Sequence, residues 1–228
     1  FKEGIKDGFP ICLGYISVSM AFGLSAVKMG IPVWTAVLMS LTNLTSAGQF
    51  AGLNLIVQQA AYVEIMMTTL IINLRYAIMS MSLSQKVEEG MGIVKRMIMA
   101  LGVTDEIFAV SITRTTDVTL PYFMGIVTPS FIGWTAGTTC GAAFSSILPT
   151  MFADAMNIAL YGMFVAIVLP QTKNDSNKRL AVILSVIMSC IFAYTPLSQM
   201  ISSGWTIILI TIVVSAFMAV KFPIKEEE

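Results

Sequence analysis

The sequence predicts an all-α, polytopic membrane protein that forms a single transmembrane domain over residues 1–228. Of its 228 residues, 56% are hydrophobic and 11% are charged, whereas soluble domains carry about 25% charged residues. The apolar residues also lie in long stretches, and a helix needs about 20 of them to cross a bilayer. Composition and segment length therefore predict about six to eight hydrophobic segments.

The apolar segments can be followed in chain order. They cover about 9–28, 32–58, 62–84, 97–115, 121–149, 154–170, 180–197 and 205–221. The second contains TSAGQFAG (45–52) and the fifth contains TAGTTCGA (135–142). Glycine-rich interruptions at matching positions indicate the binding site of a transporter built from repeats. We therefore predict an internal repeat of 9–84 and 97–170, followed by two further helices.

The distribution of lysine and arginine tests whether the two interrupted segments cross the membrane. If all eight segments cross and the N-terminus is cytoplasmic, eight of these residues lie inside and four outside. If the second and fifth segments are re-entrant, the count becomes ten against two, with Lys28 and Arg114 outside. Cytoplasmic loops carry the excess of positive charge. The sequence favours the re-entrant arrangement, with both termini in the cytoplasm.

Five charges lie in or at the ends of the apolar segments, and charges at membrane depth usually mark a pathway, a relay or a buried pair. They are Glu64, Arg75, Asp105, Glu106 and Asp154. Glu64 and Asp154 come near the start of their segments, where a carboxylate can also reach water. An interfacial position is the alternative for both, and we expect it for Glu64.

The stretch LTSAGQFAGLN (44–54) predicts an unwound segment followed by a half-helix. Unwound backbone at membrane depth must be buried in protein or line a cavity. The N–H groups of Ser46, Ala47 and Gly48 can then meet an anion such as a carboxylate, with Gln49 as a side-chain donor. The alternative is that Gly48 and Gly52 form a close-packing motif. The glycines at 133, 137 and 141 favour tight helix packing over direct ligand contact.

The segment 68–84 predicts a helix with two polar faces, which places it inside the helix bundle. One face contains Thr69, Asn73, Tyr76 and Ser80, and the other contains Thr68, Arg75 and Ser82. Arg75 needs a carboxylate partner, which can be Asp105 or Glu106. These adjacent residues point about 100° apart on a helix, so one can pair with Arg75 while the other meets a cation, an ammonium group or a proton. A purely structural salt bridge is the alternative.

Other kinds of site have little support in the sequence. Histidine is absent, the three cysteines are isolated in apolar segments, and no catalytic motif or basic cluster occurs. We therefore predict no enzyme activity, no cofactor, no metal site and no nucleic-acid binding.

Three motifs resemble those of the AzlC/YgaZ family, the large subunits of bacterial branched-chain amino acid exporters. They are SAGQF (46–50), INLRYAIMSMSLS (72–84) and TDEIFAV (104–110), and the resemblance extends through GWTAGTTCGA (133–142) and 154–170. The resemblance implies export of valine, leucine or isoleucine across the bacterial plasma (inner) membrane. It also implies a small AzlD/YgaH-type membrane subunit as partner and, by analogy, coupling to protons.

The combined hypothesis is a substrate site with separate groups for each part of an amino acid. The substrate carboxylate would lie at 46–48, with Gln49 and Asn73 assisting, and Phe50 and Tyr76 would supply apolar contacts. The ammonium group would face Asp105 or Glu106, and coupling or gating would use Arg75, Asp105, Glu106 and Asp154. The rival hypothesis is a channel-forming or structural membrane subunit whose buried charges are packing ion pairs.

Overall fold

The computed structural model describes residues 1–145, 175–196 and 201–222, together with isolated positions between 147 and 173. Within these residues the regular structure is helical, apart from one isolated bridge between Val87 and Val118. The all-α prediction is confirmed. The helices are α1 (Lys2–Lys28), α2 (Val33–Thr42), α3 (Ser46–Val57), α4 (Tyr62–Ser84), α5 (Ile93–Leu101), α6 (Asp105–Ile112), α7 (Leu120–Ala143), α8 (Ser176–Tyr194) and α9 (Ser203–Lys221).

Four of these helices, α1, α4, α8 and α9, are long and apolar enough to cross a membrane. This confirms the prediction of a polytopic membrane protein. The predicted segment 154–170 and its carboxylate Asp154 lie outside the described residues, apart from isolated backbone positions. The repeat halves 9–84 and 97–170 stay a prediction, because the second half extends into the same region.

Helices α1 and α7 run parallel and form the most extensive helix pair. Their backbones approach closely because glycines on each helix face the other, from Gly4 beside Gly125 to Gly23 beside Thr138. On α7 the predicted packing stripe Gly133, Gly137 and Gly141 contacts α1 in the same way. A side chain at most of these positions would collide with backbone. Small residues therefore hold the two helices together.

The chain turns back between helices α2 and α3, which form a hairpin with its tip at residues 43–45. The amide of Gln49 donates to the hydroxyl of Ser40 at 2.7 Å, whereas a straight helix would separate these residues by roughly 13 Å along its axis. Farther from the tip, Leu53 and Ala36 belong to one apolar cluster. With 10 and 12 residues, the two helices reach roughly 15–18 Å, about half the hydrocarbon thickness. This geometry agrees with the re-entrant prediction for 32–58.

Helices α5 and α6 form a second hairpin, which corrects the predicted single crossing at 97–115. The chain breaks at residues 102–104, where the side chain of Thr104 caps α6 by accepting from the N–H of Ile107 at 3.3 Å. Both ends of this hairpin return to the end of α4. There Arg96 donates to the carbonyl of Ser84 and Lys86 donates to the carbonyl of Ile112, both at 2.8 Å.

The predicted interruption within 121–149 is wrong for the described part of that segment, because α7 is continuous from Leu120 to Ala143. Its glycines face α1, and the close packing of the two helices keeps the stretch helical. The sequence signal for a break was therefore correct in 32–58, misplaced in 121–149 and missed in 97–115.

One end of the bundle contains most of the lysine and arginine side chains and is called the basic end below; it is defined by the start of α1, the end of α4 and the start of α7. Arg114 joins it through an ion pair with Glu3 at 3.0 Å, so its predicted position on the opposite side is wrong. Contacts of α9 with Glu64 and Gln58 place the start of α9 at the opposite end. The basic end collects Lys2, Lys6, Lys86, Lys95, Arg96, Arg114, Lys178, Arg179 and Lys221, whereas Lys28 ends α1 on the other side.

The two hairpins therefore reach into the bundle from opposite ends. Leu44 at one tip and Val103 at the other pack into the same apolar cluster, which also contains Tyr15 and Trp134. Because α3 and α6 both begin at these tips, the N-terminal ends of two short helices lie in the interior of the bundle.

Candidate functional site

The N-terminus of α3 is a helix end that no side chain caps. Its N-cap residue Thr45 makes no capping hydrogen bond, and its hydroxyl is used instead on the side chain of Asn43. The first turn contains no acidic residue. The first N–H groups of a helix have no partner within the helix, and the helix dipole makes this end favourable for an anion. The predicted position of a carboxylate at Ser46, Ala47 and Gly48 thus fits the local geometry.

Asn73 of α4 lies directly against this helix end. A Cβ atom added to Gly48 would stand 2.9 Å from both side-chain amide atoms of Asn73 and 2.9 Å from the hydroxyl of Thr45. The Oδ1 atom of Asn73 is buried and has no hydrogen-bond partner in the described part of the chain. The structure therefore brings the predicted residues Gly48 and Asn73 together, and a polar group there is left to be satisfied.

Gln49 and Phe50 point into the protein interior, away from an open helix end. Gln49 is 1% exposed; its amide donates to Ser40, and its Oε1 atom accepts from the indole N–H of Trp134 at 3.0 Å. The ring of Phe50 packs edge-on against Phe22, with 5.2 Å between the centroids. In this conformation both ends of the Gln49 amide are used to hold α3 against α2 and α7.

Arg75 pairs with Asp105 at 2.9 Å, which decides between the two predicted carboxylates. The side chains are 36% and 21% exposed, so the pair lies in a half-buried position. Arg75 also donates to the hydroxyl of Tyr76 at 3.2 Å. Its Nε–H group is buried and has no partner among the described residues. The guanidinium thus holds one carboxylate and keeps a donor for another acceptor.

Glu106 points away from Arg75, toward α1. The hydroxyl of Tyr15 lies 2.7 Å from Glu106 Oε2 and 2.7 Å from the hydroxyl of Thr104. Because a phenol has one proton and an ionised carboxylate only accepts, the Tyr15 proton goes to Glu106 while the Thr104 hydroxyl can supply its own. The predicted division between the two adjacent carboxylates is therefore present in the geometry: Asp105 faces a cation, and Glu106 faces a phenol.

The sequence reasoning missed a buried polar chain that links the two hairpins. The ring of Tyr15 packs edge-on against Trp134 at 5.3 Å, and Trp134 donates to Gln49. The chain ends where the hydroxyl of Ser40 lies 2.7 Å from that of Thr138. A useful signal was present, because buried Trp and Tyr side chains usually find a hydrogen-bond partner. The single hydroxyls gave no such signal.

The two interior helix ends have opposite electrostatic character. The start of α3 has no acidic residue, whereas α6 begins with Asp105 and Glu106. Helix α4 lies beside both ends: its Asn73 contacts the start of α3, and its Arg75 pairs with Asp105 of α6. Within the described residues, no group of three or more acidic or cysteine side chains lies close enough to hold a metal ion. The arrangement suits a molecule that carries both a negative and a positive group.

Comparison with known proteins gives a family match that covers the described site. The sequence model of a family described as AzlC protein matches residues 10–148. The chain is 30% identical over 175 residues to an uncharacterized membrane protein of Archaeoglobus fulgidus, covering 76% of each. It is 28% identical over 146 residues to the inner membrane protein YgaZ of Escherichia coli, covering 62% of this chain and 60% of YgaZ.

A third relative has a name that states its activity. The chain is 22% identical over 174 residues to the branched-chain amino acid transport protein AzlC of Bacillus subtilis, covering 75% of this chain and 67% of that protein. No solved structure matches the chain. The family match at 10–148 includes both hairpins and every described residue of the candidate site.

Proposed function

This chain belongs to the AzlC family of membrane transport proteins, and we propose that it exports branched-chain amino acids from the cytoplasm. Valine, leucine and isoleucine are the proposed substrates, and the name of the Bacillus subtilis relative supports this class. A hydrophobic pocket separates side chains that differ by one methylene by only about 1–3 kcal/mol. We therefore expect broad specificity among the three.

The observation that carries the proposal is the opposite character of the two interior helix ends. The substrate carboxylate binds at the uncapped start of α3, beside Gly48 and Asn73. The ammonium group binds at the start of α6, where Glu106 is held by a phenol and has no cation among the described residues. Tyr76 lies beside Arg75 and supplies apolar surface, whereas Phe50 would have to turn away from Phe22 to contact the substrate. An amino acid is a zwitterion, and its carboxylate matches the helix dipole at the start of α3, while its ammonium group matches the carboxylates at the start of α6.

Coupling to protons is the second part of the proposal. Arg75 and Asp105 act as a gate that can exchange partners, because the guanidinium has a spare Nε–H donor. Glu106 exchanges a proton, since its partner Tyr15 is neutral and no cation of the described residues balances this half-buried carboxylate. Asp154 completes the proposed coupling set, although it lies outside the described residues.

The plasma (inner) membrane is the proposed location, with both termini in the cytoplasm. The excess of lysine and arginine at one end of the bundle supports this orientation by the positive-inside rule. It predicts that a cysteine in place of Glu89 is labelled only from the cytoplasmic side and one in place of Met29 only from outside. The reverse pattern would contradict the orientation.

A small AzlD/YgaH-type membrane subunit is the proposed partner, as the family resemblance implies. Helix α8 supports a partner, because none of its 19 residues is buried in the described structure and its main contact is α9. Affinity purification of this chain with a tagged small subunit tests the proposal. Recovery of either subunit without the other, under conditions where both are expressed, would contradict it.

Valine efflux from cells or proteoliposomes that contain both subunits tests the function. We expect Asp105→Asn, Glu106→Gln and Arg75→Ala to abolish efflux while the matched variant of an exposed carboxylate, Glu89→Gln, keeps it. Gly48→Ala should raise the KM for valine, because its Cβ would press on Asn73. Efflux that survives all three charge substitutions would support the rival hypothesis of structural ion pairs.

A further inference from the structure

Glu64 is buried, although the sequence predicted an interfacial position for it. It lies in the first turn of α4 and is only 6% exposed. The start of α9 covers it, where the hydroxyl of Ser202 donates to its Oε1 atom. The side chain therefore lies in the contact between two membrane-spanning helices and not in bulk water.

The contact between α4 and α9 is tight and contains a second polar group, the hydroxyl of Thr68. A Cβ atom on Gly204 would stand 2.6 Å from Oε1 of Glu64 and 2.7 Å from the hydroxyl oxygen of Thr68. Both oxygens thus face the same point on α9, and only a glycine leaves room for them. Thr68 is fully buried, and its hydroxyl has no hydrogen-bond partner in the described structure.

No cation of the described residues neutralises Glu64. Helix α3, which packs on α4 here, carries no titratable side chain, and the connecting residues Gln58 and Gln59 are neutral. The one charged residue of α9 is Lys221, seventeen residues beyond Gly204 and so roughly 25 Å away along the helix. On α4 itself the nearest charge is Arg75, which pairs with Asp105, and the neighbouring Tyr62 points to the outside at 90% exposure.

We propose that Glu64 is a second proton-exchange site of the transporter, whose proton is held while α9 packs against α3 and α4. The proposal rests on the proposed proton-coupled transport and adds a carboxyl group outside the Arg75–Asp105–Glu106 set. In the packed state the carboxyl group is neutral, accepts from Ser202 and can donate to the free oxygen of Thr68. When α9 moves away, water reaches the group, and the proton passes from Glu64 to water.

Two opposing effects decide whether the buried carboxyl group of Glu64 is ionised or neutral. Glu64 lies near the N-terminal ends of α4 and α9, and helix dipoles there favour a carboxylate. Each helix end, however, offsets only part of the cost of removing an ion from water without a counter-ion. The Thr68 hydroxyl does not discriminate between the two forms, because it can accept from a carboxylic acid and donate to a carboxylate. The missing counter-ion therefore decides for the neutral form.

The start of α9 links this proton to the α2–α3 hairpin. Ser202 donates to Glu64 of α4, and the next residue, Ser203, donates to Gln58 at the end of α3 at 3.0 Å. Movement of α9 away from Glu64 therefore also releases the outer end of the hairpin. Loss of the proton and opening of the bundle at the end opposite the basic end become one step.

The first test compares net transport with exchange in the two-subunit transporter. Glu64→Gln keeps a neutral hydrogen-bonding side chain, so we expect proton-driven net valine efflux to be lost while exchange of internal for external valine continues. Glu89→Gln should keep both activities. Net efflux of Glu64→Gln with the pH profile of the natural protein would overturn the proposal.

The second test does not depend on transport, so it separates failure of this site from failure of the proposed function. Cysteines replace Gln58 and Ser203 in a chain whose native cysteines are alanine, and a short thiol cross-linker is applied in membranes over a range of pH. Cross-linking should fall as pH rises when Glu64 is present and should change much less with pH in Glu64→Gln. Equal pH profiles would overturn the proposal.

Two further arms keep the second test decisive. Thr68→Val removes the acceptor for the proton, so the midpoint of the cross-linking profile should move to lower pH even if Glu64→Gln fails to fold. An unchanged midpoint would contradict the role of Glu64. Sodium added at fixed pH should have no effect, and a response to sodium in place of pH would replace the proton by a metal cation and overturn the assignment.

Discussion

Replacement of Gln49 by methionine distinguishes an anchoring role of this residue from direct contact with the substrate. Methionine has a similar length but cannot donate to Ser40, and its sulfur is only a weak acceptor for Trp134. Ser40 keeps its contact with Thr138, so the variant leaves one buried donor, the indole N–H of Trp134, without a strong partner. Both Gln49 and Trp134 are 1% exposed, and water cannot easily replace the lost bond.

The expected cost can be estimated from that one unsatisfied group. A buried donor without a partner costs about 1–3 kcal/mol. For a chain of this size, 1 kcal/mol corresponds to about 2–4 °C in Tm, so we expect a decrease of roughly 2–12 °C. Thermal unfolding in detergent measures the change, and Gln85→Met, at an exposed position after α4, is the matched control.

A double-mutant cycle sharpens the result. Trp134→Phe removes the donor, so Gln49→Met combined with Trp134→Phe should cost less than the sum of the two single changes. For an anchoring role, Gln49→Met should lower Tm and the maximal efflux rate with little change in KM for valine. A raised KM with an unchanged Tm, or additive Tm losses in the cycle, would refute the reasoning and restore Gln49 as a substrate donor.

Two further predictions concern the scaffold and the second carboxylate. Gly137→Ala should lower Tm by several degrees, since its Cβ would overlap the backbone of α1 and overpacking costs about 1–3 kcal/mol. The control Gly14→Ala has open space around the added Cβ and should keep the Tm of the unchanged protein. Equal Tm values for the two variants would contradict the glycine packing. Tyr15→Phe removes the donor to Glu106, so it should alter the pH profile of valine efflux while Tyr194→Phe, at an exposed position, leaves it unchanged. An unaltered profile in Tyr15→Phe would show that the phenol does not act on Glu106.

The sequence predicted the fold class and the first hairpin because their signals are local. Hydropathy and segment length depend on neighbouring residues, and TSAGQFAG weakens a helix wherever it lies. The second hairpin was missed because its break needs only one glycine, Gly102, followed by a capping threonine, Thr104. The glycines of α7 gave the opposite error, since their effect depends on α1, which packs against them from far away in the chain.

The candidate site shows the same limit at the level of single side chains. The sequence could state that Arg75 needs a carboxylate, because a lone buried charge is costly wherever it occurs. It could not choose between Asp105 and Glu106, since the choice depends on how α6 is rotated after a break that the sequence did not reveal. Tyr15 and Trp134 became part of the site only when α1 and α7 were placed between the two hairpins.

The four described charges in the apolar segments differ in the partner that each one meets, and this difference decides what each can do. Asp105 faces the guanidinium of Arg75, so its charge is balanced, and moving either partner leaves the other as an unpaired charge in a half-buried position. Such a pair changes partners together with a charged substrate more readily than it loses a proton. Glu106 and Glu64 face hydroxyl groups, which can donate to a carboxylate or accept from a carboxylic acid. A hydroxyl partner accommodates both protonation states, whereas a guanidinium accommodates only the ionised one. The chemistry of the partners therefore supports the proposed substrate-linked switch at Arg75 and Asp105, and the proposed proton exchange at the two glutamates.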